Sequence, residues 1–408
     1  MQNISTFIEE FGPELNRQCS VFDGTWVKRK RVLNSKTMFT AIIYMLAERC
    51  SNFKSLSSVL AFDEKLSELS FSASSFCEAR KKFPPYLFVD LSQWIYAYVD
   101  HQQKKGKWFG RTIFAVDSTS VTLPREMIEE GFGHEETGSF YPQATLTVFY
   151  DLRLGMVYDS IISQHRSERL NTVQLLKGAP EGSLIIGDRG FFSFELLHEA
   201  AKNKVDVLFR IALDHAPEEI RELGKNLCKD MILNVTPSLP TQRKLLRNGY
   251  STVPFTVRVL RKKIGKKVYI LLTTILDQSI KHQDFFKLYQ CRWDIEEFFK
   301  LLKSELKLES FKSKHLNGIL QEIFALILLI NLSEGITRLH LGPKTKTVDR
   351  IVVSTLEVMR LVRMSFLSII SNTKIRIQRI SIALESGITK AYSWARPGRS
   401  YPRVFWRE

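Results

Sequence analysis

The chain has 408 residues, 44% of them hydrophobic and 25% charged, globular values that exclude a disordered or low-complexity chain and call for two or three domains. Lys plus Arg number 59 against 43 for Asp plus Glu, a net charge of +16 that favours a polyanionic partner such as nucleic acid over an acidic small molecule, although ribosomal and membrane-surface proteins share it. The five cysteines (Cys19, Cys50, Cys77, Cys228, Cys291) are scattered without a C-x-x-C pair, which argues against a disulfide framework or a zinc site and for a reducing, cytoplasmic setting.

The opening stretch MQNISTFIEEFGPELN carries early acids and no long apolar core, unlike a signal peptide. Residues 1–108 read as an N-terminal helical domain, with segments near 36–49, 55–62, 72–83 and 86–104. Ser72 or Ser74 is expected to cap a helix that turns Phe76, Ala79 and Phe83 inward and leaves Arg80, Lys81 and Lys82 exposed. That basic end and the run Lys28–Arg31 are candidate DNA contacts, or simply solvated charge that complements a helix dipole.

Residues 109–212 change texture. RTIFAVDSTSVTLP and ATLTVFYDLRLGMVYDSIIS predict three antiparallel strands, the last two joined at Leu152–Gly155. A helix over 168–177, the strand SLIIGD, the helix FSFELLHEAAKNK and the strand VDVLFRIA follow. The order βββαβαβ is that of an RNase H-like α/β core, a mixed five-stranded sheet with helices. Residues 213–280 read as a β-rich insertion containing the hairpin VRVLRKKIGKKVYILLTT. The core resumes over 281–315, and 316–408 is a C-terminal helical region with a basic tail, a candidate for dimer and DNA contacts. Its apolar run Ile323–Ile330 is too short to span a membrane and reads as a buried helix.

Two aspartates stand out within this frame. Asp117 lies in an apolar strand, where a charge is costly unless it faces a site. Asp188 ends the strand SLIIGD, at the carboxyl edge where open α/β sheets bind ligands. In this topology the two strands are neighbours, and a helix beside them can add Glu296. Close carboxylates repel unless a cation joins them. Oxygen ligands without nearby His or Cys select Mg²⁺, or Mn²⁺ in its place. Two such ions about 4 Å apart would serve phosphoryl transfer on nucleic acid. Taken singly, an Asp at a strand end is more often a cap, and a helical Glu is usually solvated.

The stretch YQCRWDIEEFFKLLKSELK reads as one amphipathic helix. At about 100° per residue, Tyr289, Arg292, Glu296, Lys300, Lys303 and Lys307 share an arc of about 80°, while Ile295, Phe298, Leu302 and Leu306 form a second, apolar face. One carboxylate among cations and a phenol suits a bound anion. Trp293 and Phe299 are read as core packing, Tyr250 or Phe255 in the insertion as a base-stacking candidate, and His134, His165 and His215 as structural or surface residues.

The spacing of Tyr289, Arg292, Glu296 and Lys303 resembles the Y-R-E-K signature of DDE transposases of bacterial cut-and-paste insertion sequences, the insertion-sequence-four family. AVDSTSVTL and IIGDRGFF resemble its first and second aspartate motifs, and the likeness extends over about residues 110–315. It implies Asp117, Asp188 and Glu296 as catalytic, metal-binding residues, with two Mg²⁺ ions per site. It implies phosphate or DNA-end contacts from Tyr289, Arg292, Lys300 and Lys303, with Arg189 a further candidate. It also implies an enzyme acting on double-stranded DNA, at terminal inverted repeats and target sites, as a homodimer, in the cytoplasm and on the nucleoid rather than at a membrane. An RNase H-like nuclease without strand transfer and a non-catalytic, transposase-derived DNA-binding protein are the competing expectations.

Overall fold

The computed structural model describes residues 2–27, 32–47, 71–103, 106–133, 140–164, 167–225, 229–264, 267–342, 351–371 and 374–394, with a few positions between 50 and 57. Lys28–Arg31, most of the helix expected over 55–62, His134, His165 and the basic tail lie outside the described residues.

The centre is one mixed sheet of order β3-β2-β1-β4-β5-β8-β7-β6. Its first five strands are β1 (Ile113–Thr122), β2 (Gln143–Asp151), β3 (Met156–Ser163), β4 (Leu184–Gly187) and β5 (Asp206–Ile211). β1 to β3 form an antiparallel meander, and β4 then pairs parallel with β1 and β5 parallel with β4. This is the expected core order. β4 is a run of four buried residues, Leu-Ile-Ile-Gly, the composition of a strand covered on both faces.

The sheet departs from expectation at its far edge. β6 (Asp230–Val235), β7 (Phe255–Ile264) and β8 (Lys267–Thr273) form no separate β unit, and β8 instead pairs antiparallel with β5 over Leu208–Ile211. The five-stranded core thus becomes eight strands. Hydrogen bonding explains this: β5 would otherwise be an open edge with unpaired N–H and C=O groups. Tyr250 and Phe255, expected as stacking candidates, fasten the insertion to the core. Tyr250 donates to Glu199 at 2.9 Å and stacks on His198, which Phe255 meets edge-on.

The N-terminal helices are α1 (Gln2–Trp26), α2 (Ser35–Ala47), α3 (Ala73–Lys82) and α4 (Tyr86–Gln102). α1 is not among the helical segments expected from the sequence. Pro13 lies inside the helix, which Ile4, Phe7, Ile8, Phe11 and Leu15 bury along one stripe. After the sheet's own helices comes α11 (Leu316–Leu341), the expected buried helix. It is long and apolar enough to cross a membrane, but 94% of its apolar window is buried here, which makes it the axis of the core. α12 (Thr355–Ser371) then packs on α11 and α1, and α13 (Lys374–Lys390) on α12 and α1. α5 (Glu168–Leu176), α6 (Phe194–Lys202), α7 (Glu218–Lys225), α8 (Leu239–Arg247), α9 (His282–Gln290) and α10 (Trp293–Lys300) complete the helices used below.

A helix buried all round must carry its polar side chains to partners. Asn331 does so in α11: its amide donates to Ser92 Oγ of α4 at 2.8 Å and to the Val157 carbonyl of β3 at 2.7 Å, and accepts from Val157 N at 2.8 Å. The N-terminal helices are thereby tied to the central sheet through one residue. Arg80 corrects an expectation. It is buried, not exposed, and its guanidinium donates to Glu322 at 2.8 Å, to the Gly318 carbonyl at 2.9 Å and to Gln321 at 3.1 Å. Only Lys81 and Lys82 face solvent, beyond the cap that Ser72 provides as expected.

Arg80→Ala removes the cation paired with the buried Glu322 carboxylate, leaving it the Lys312 and Ser313 N–H groups, and is expected to destabilise the protein by about 3–5 kcal/mol. Lys82→Ala should stay within about 0.5 kcal/mol of wild type. Denaturant unfolding checks both, and equal midpoints for the two variants would contradict the role assigned to Arg80.

Candidate active site

The site begins with strand register. Ile113, Phe114 and Ala115 of β1 stand opposite Leu184, Ile185 and Ile186 of β4 in parallel pairing. Two residues further along both chains come Asp117 and Asp188, level with each other at the carboxyl end of β4. Gly187 makes this close packing possible: a Cβ there would lie 2.9 Å from the Phe191 Cβ and 3.0 Å from the Phe209 ring. Asp188 turns the chain, its Oδ1 accepting from Gly190 N at 2.7 Å. Asp117 accepts from Ser118 N at 2.9 Å.

The segment expected as one helix from Tyr289 to Lys307 is broken twice. α9 ends at Gln290, and tight i→i+3 bonds follow, from Cys291 N to Leu288 O at 2.9 Å and from Arg292 N to Tyr289 O at 3.1 Å. Residues three apart nearly eclipse in such a turn, and the Arg292 guanidinium accordingly lies 5.9 Å from the Tyr289 ring centre. α10 then runs from Trp293 to Lys300 before widening into a π turn over Leu301–Glu305, closed by Leu306 N to Leu301 O at 3.0 Å. Lys307 ends the segment in the left-handed region, at φ 53°. Wide turns of this kind recur at functional sites because they re-aim side chains.

The two breaks sort the expected face into two groups. Arg292 is buried and bridges carboxylates, reaching Glu296 at 2.5 Å and Asp117 at 3.4 Å. Tyr289 is half-buried, near enough to Asp188 to feel its charge. Asp117, Asp188, Tyr289, Arg292 and Glu296 therefore converge. Lys300 does not join them: it is exposed and sits 3.7 Å from Glu297. Lys303 pairs at 3.6 Å with Glu309, which also accepts from Thr122 N at the end of β1. Arg189 is exposed and makes no ion pair among the described residues. It lines, with Arg169, Arg221 and Lys244, a cleft of ≈ 700 Å³ between the core and the β6–β8 extension. Trp293 is a second correction: expected in the core, it is 54% exposed beside Arg292, whereas Phe299 is buried as expected.

One carboxylate beside the site went unnoticed in the sequence. Glu168, the first residue of α5, lies close enough to Asp117 and Asp188 for both charges to act on it. Burial, and then those two carboxylates, push its carboxyl up to about 7. Burial likewise pushes Asp117 up to about 6; the Ser118 N–H and Arg292 pull it back, while Asp188 and Glu296 add to the rise. For Arg292, burial works against the charged form, but Tyr289, Glu296 and Asp117 together hold it above its ordinary value.

The donor set is all oxygen and short of positive charge, which suits a hard divalent cation rather than zinc. Among the described residues no three such side chains already stand at metal-ligand spacing, with the Arg292 guanidinium lying between Asp117 and Glu296. Asp117 and Asp188 fit such an ion from the sheet. Glu296 fits it once its bond to Arg292 is released.

A carboxyl whose folded value lies above its unfolded one keeps a proton that the unfolded chain has lost. Stability contributed at Asp117 is therefore present at low pH and declines as pH rises from about 4 through about 6. In EDTA, the melting temperature of Asp117→Asn relative to wild type should rise between about pH 5 and about pH 7. A constant difference across that range would contradict the assigned burial of charge.

Against known proteins, no curated protein matches the chain. A solved structure, the cryo-EM structure of the piggyBac transposase synaptic complex with hairpin DNA, is similar with a TM-score of 0.47 and 14% identity, covering 97% of this chain and 87% of that one. Residues 108–332 match the family described as "Transposase DDE domain". That span exceeds half of the 408 residues and runs from before β1 into α11, carrying every carboxylate discussed above, and the chain belongs to the transposase DDE-domain family.

Proposed function

We propose that the protein is a DNA transposase of the insertion-sequence-four type, which binds the terminal inverted repeats of its element, cleaves DNA there and joins the freed 3′ ends to target DNA. The observation that carries the reading is the meeting of Asp117, level with Asp188 across β1 and β4, with Arg292 and Glu296 from a separate part of the chain. Family membership supplies the reaction class, DNA cleavage and transfer with a divalent metal.

In this reading Asp117, Asp188 and Glu296 hold two Mg²⁺ ions, with Mn²⁺ able to replace them. The ions supply activation of a water or 3′-hydroxyl nucleophile and neutralise charge on the leaving oxygen. The protein's own groups do the positioning. Arg292, already buried beside the carboxylates, exchanges one carboxylate for a DNA phosphate through its forked donors. Tyr289 offers its hydroxyl to the same strand. Lys303, tethered through Glu309 to the end of β1, contacts the backbone further out, and Lys300 and Arg189, both exposed, add positive field along the approaching duplex. The N-terminal helices grip DNA away from the cut, and the C-terminal helices join two copies, one for each element end. The setting is the cytoplasm, on the nucleoid.

The test uses labelled duplexes carrying the sequences that flank the protein's own gene, with Mg²⁺ or EDTA. Wild type should release 3′ ends only with Mg²⁺. Asp188→Asn should lower cleavage at least about 1,000-fold, as expected for a group acting mainly in the transition state, while still shifting the duplex in a gel. Cutting without joining would favour a nuclease, and binding with no cutting by either protein would favour a DNA-binding relic.

A further inference from the structure

The fold brings Glu168 to the site by a dedicated set of contacts. Ser167 caps α5, its side chain accepting from Leu170 N at 3.3 Å. Arg169 Nε then donates to the Gly190 carbonyl at 2.7 Å, fastening the first turn of α5 to the Asp188–Gly190 turn. Deeper in α5, Asn171 donates to Thr147 of β2 at 2.9 Å, and Thr147 bonds Ser118, the neighbour of Asp117, at 2.8 Å. Helix, turn and strand are thus locked together around Glu168.

Gly190 measures the gap. A Cβ placed on it would lie 3.2 Å from Asp188 Oδ1 and 3.6 Å from Glu168 Oε2, so those oxygens are at most about 7 Å apart. A hard cation bound directly on one side and through a water on the other spans such a gap, and Mg²⁺ habitually keeps waters. Among the described residues nothing donates a hydrogen bond to the Glu168 carboxylate, although the side chain is only partly exposed. A half-buried carboxylate that faces a second carboxylate, with only the exposed Arg169 acting on it as a cation and no donor among the described residues, suits a bound cation.

We propose that Glu168 is a fourth carboxylate of the catalytic centre, which holds one of the divalent ions together with Asp188. The centre is then a set of four carboxylates fed from β1, β4, α5 and α10. Glu168 is a ligand contributed from α5, on the far side of the Asp188 turn in sequence from the Tyr289–Lys303 segment. This rests on the metal-dependent reading above, and the experiment separates the two.

The measurement is calorimetric titration of the full chain with Mn²⁺ alone, free of DNA, for wild type, Glu168→Gln, Glu168→Asp and Asp188→Asn. Melting in EDTA serves as the folding control. Glu168→Gln should weaken Mn²⁺ binding by on the order of 10- to 100-fold with its melting temperature no lower than wild type, and Glu168→Asp should recover part of the affinity. Wild-type affinity in Glu168→Gln, with Asp188→Asn impaired, overturns the role of Glu168 alone. Unchanged affinity in Asp188→Asn as well, or no Mn²⁺ binding by wild type, overturns the catalytic-centre reading with it. If Glu168→Gln fails to fold, Glu168→Asp decides: affinity equal to wild type overturns the proposal, and weakened affinity supports it.

Discussion

Like charges that converge in a sparsely solvated place need a cation, and this fold is organised around supplying one. Asp117 and Asp188 are set level by the parallel pairing of β1 and β4, Glu168 approaches from α5 and Glu296 from α10. Burial and the neighbouring carboxylates make Asp117 and Glu168 hold their protons more tightly than an exposed carboxyl would. The internal answer is Arg292, which stays ionised at any working pH and joins Asp117 to Glu296. Its placement beside Tyr289 depends on the tight turn between α9 and α10. That turn is therefore as much a part of the site as the side chains it aims.

The surroundings hold these few elements still. β4 is short and buried on both faces, and Gly187 lets it sit against Phe191 and Phe209. Behind the sheet, Asn331 of α11 bonds both β3 and α4, and Arg80 ties α3 to the same helix through Glu322. On the other side, β8 closes the edge of β5, so the β6–β8 extension and the core form one sheet. The large cleft between them, lined by Arg169 and Arg189, opens beside the Asp188 turn.

The core was legible because its signals were local and mutually consistent. Alternation and apolar runs mark β1 to β5, their order implies that β1 and β4 are neighbours, and that adjacency brings Asp117 and Asp188 together. What escaped depended on long-range partners. Arg80 looks like a solvated helix end until Glu322, more than two hundred residues away, is placed against it. α1 sets a stripe of five apolar residues, which only tertiary burial rewards, against the local propensity of Gly12-Pro13. The break at Cys291–Arg292 and the π turn after Lys300 carry no proline or glycine, so the heptad-like spacing from Tyr289 to Lys307 reads as continuous, and Lys300 was grouped with residues from which the structure separates it. Trp293, which flanks the cationic stripe and reads as core packing, is exposed on α10. Glu168 resembles an ordinary acidic residue in the first turn of a helix, a position favoured by the dipole alone; nothing local says that Asp188 lies opposite.

The most direct test of the central claim, that one cation centre is assembled from these separated carboxylates, is to map where a redox-active divalent ion sits. Fe²⁺ substituted for Mg²⁺, with ascorbate and peroxide, cuts the polypeptide near its binding site. Cuts should cluster near Asp117, near Asp188 and on α10 around Glu296, be suppressed by excess Mg²⁺ and be lost in Asp117→Asn. Cuts confined to other parts of the chain, or a pattern that neither Mg²⁺ nor Asp117→Asn alters, would contradict the claim.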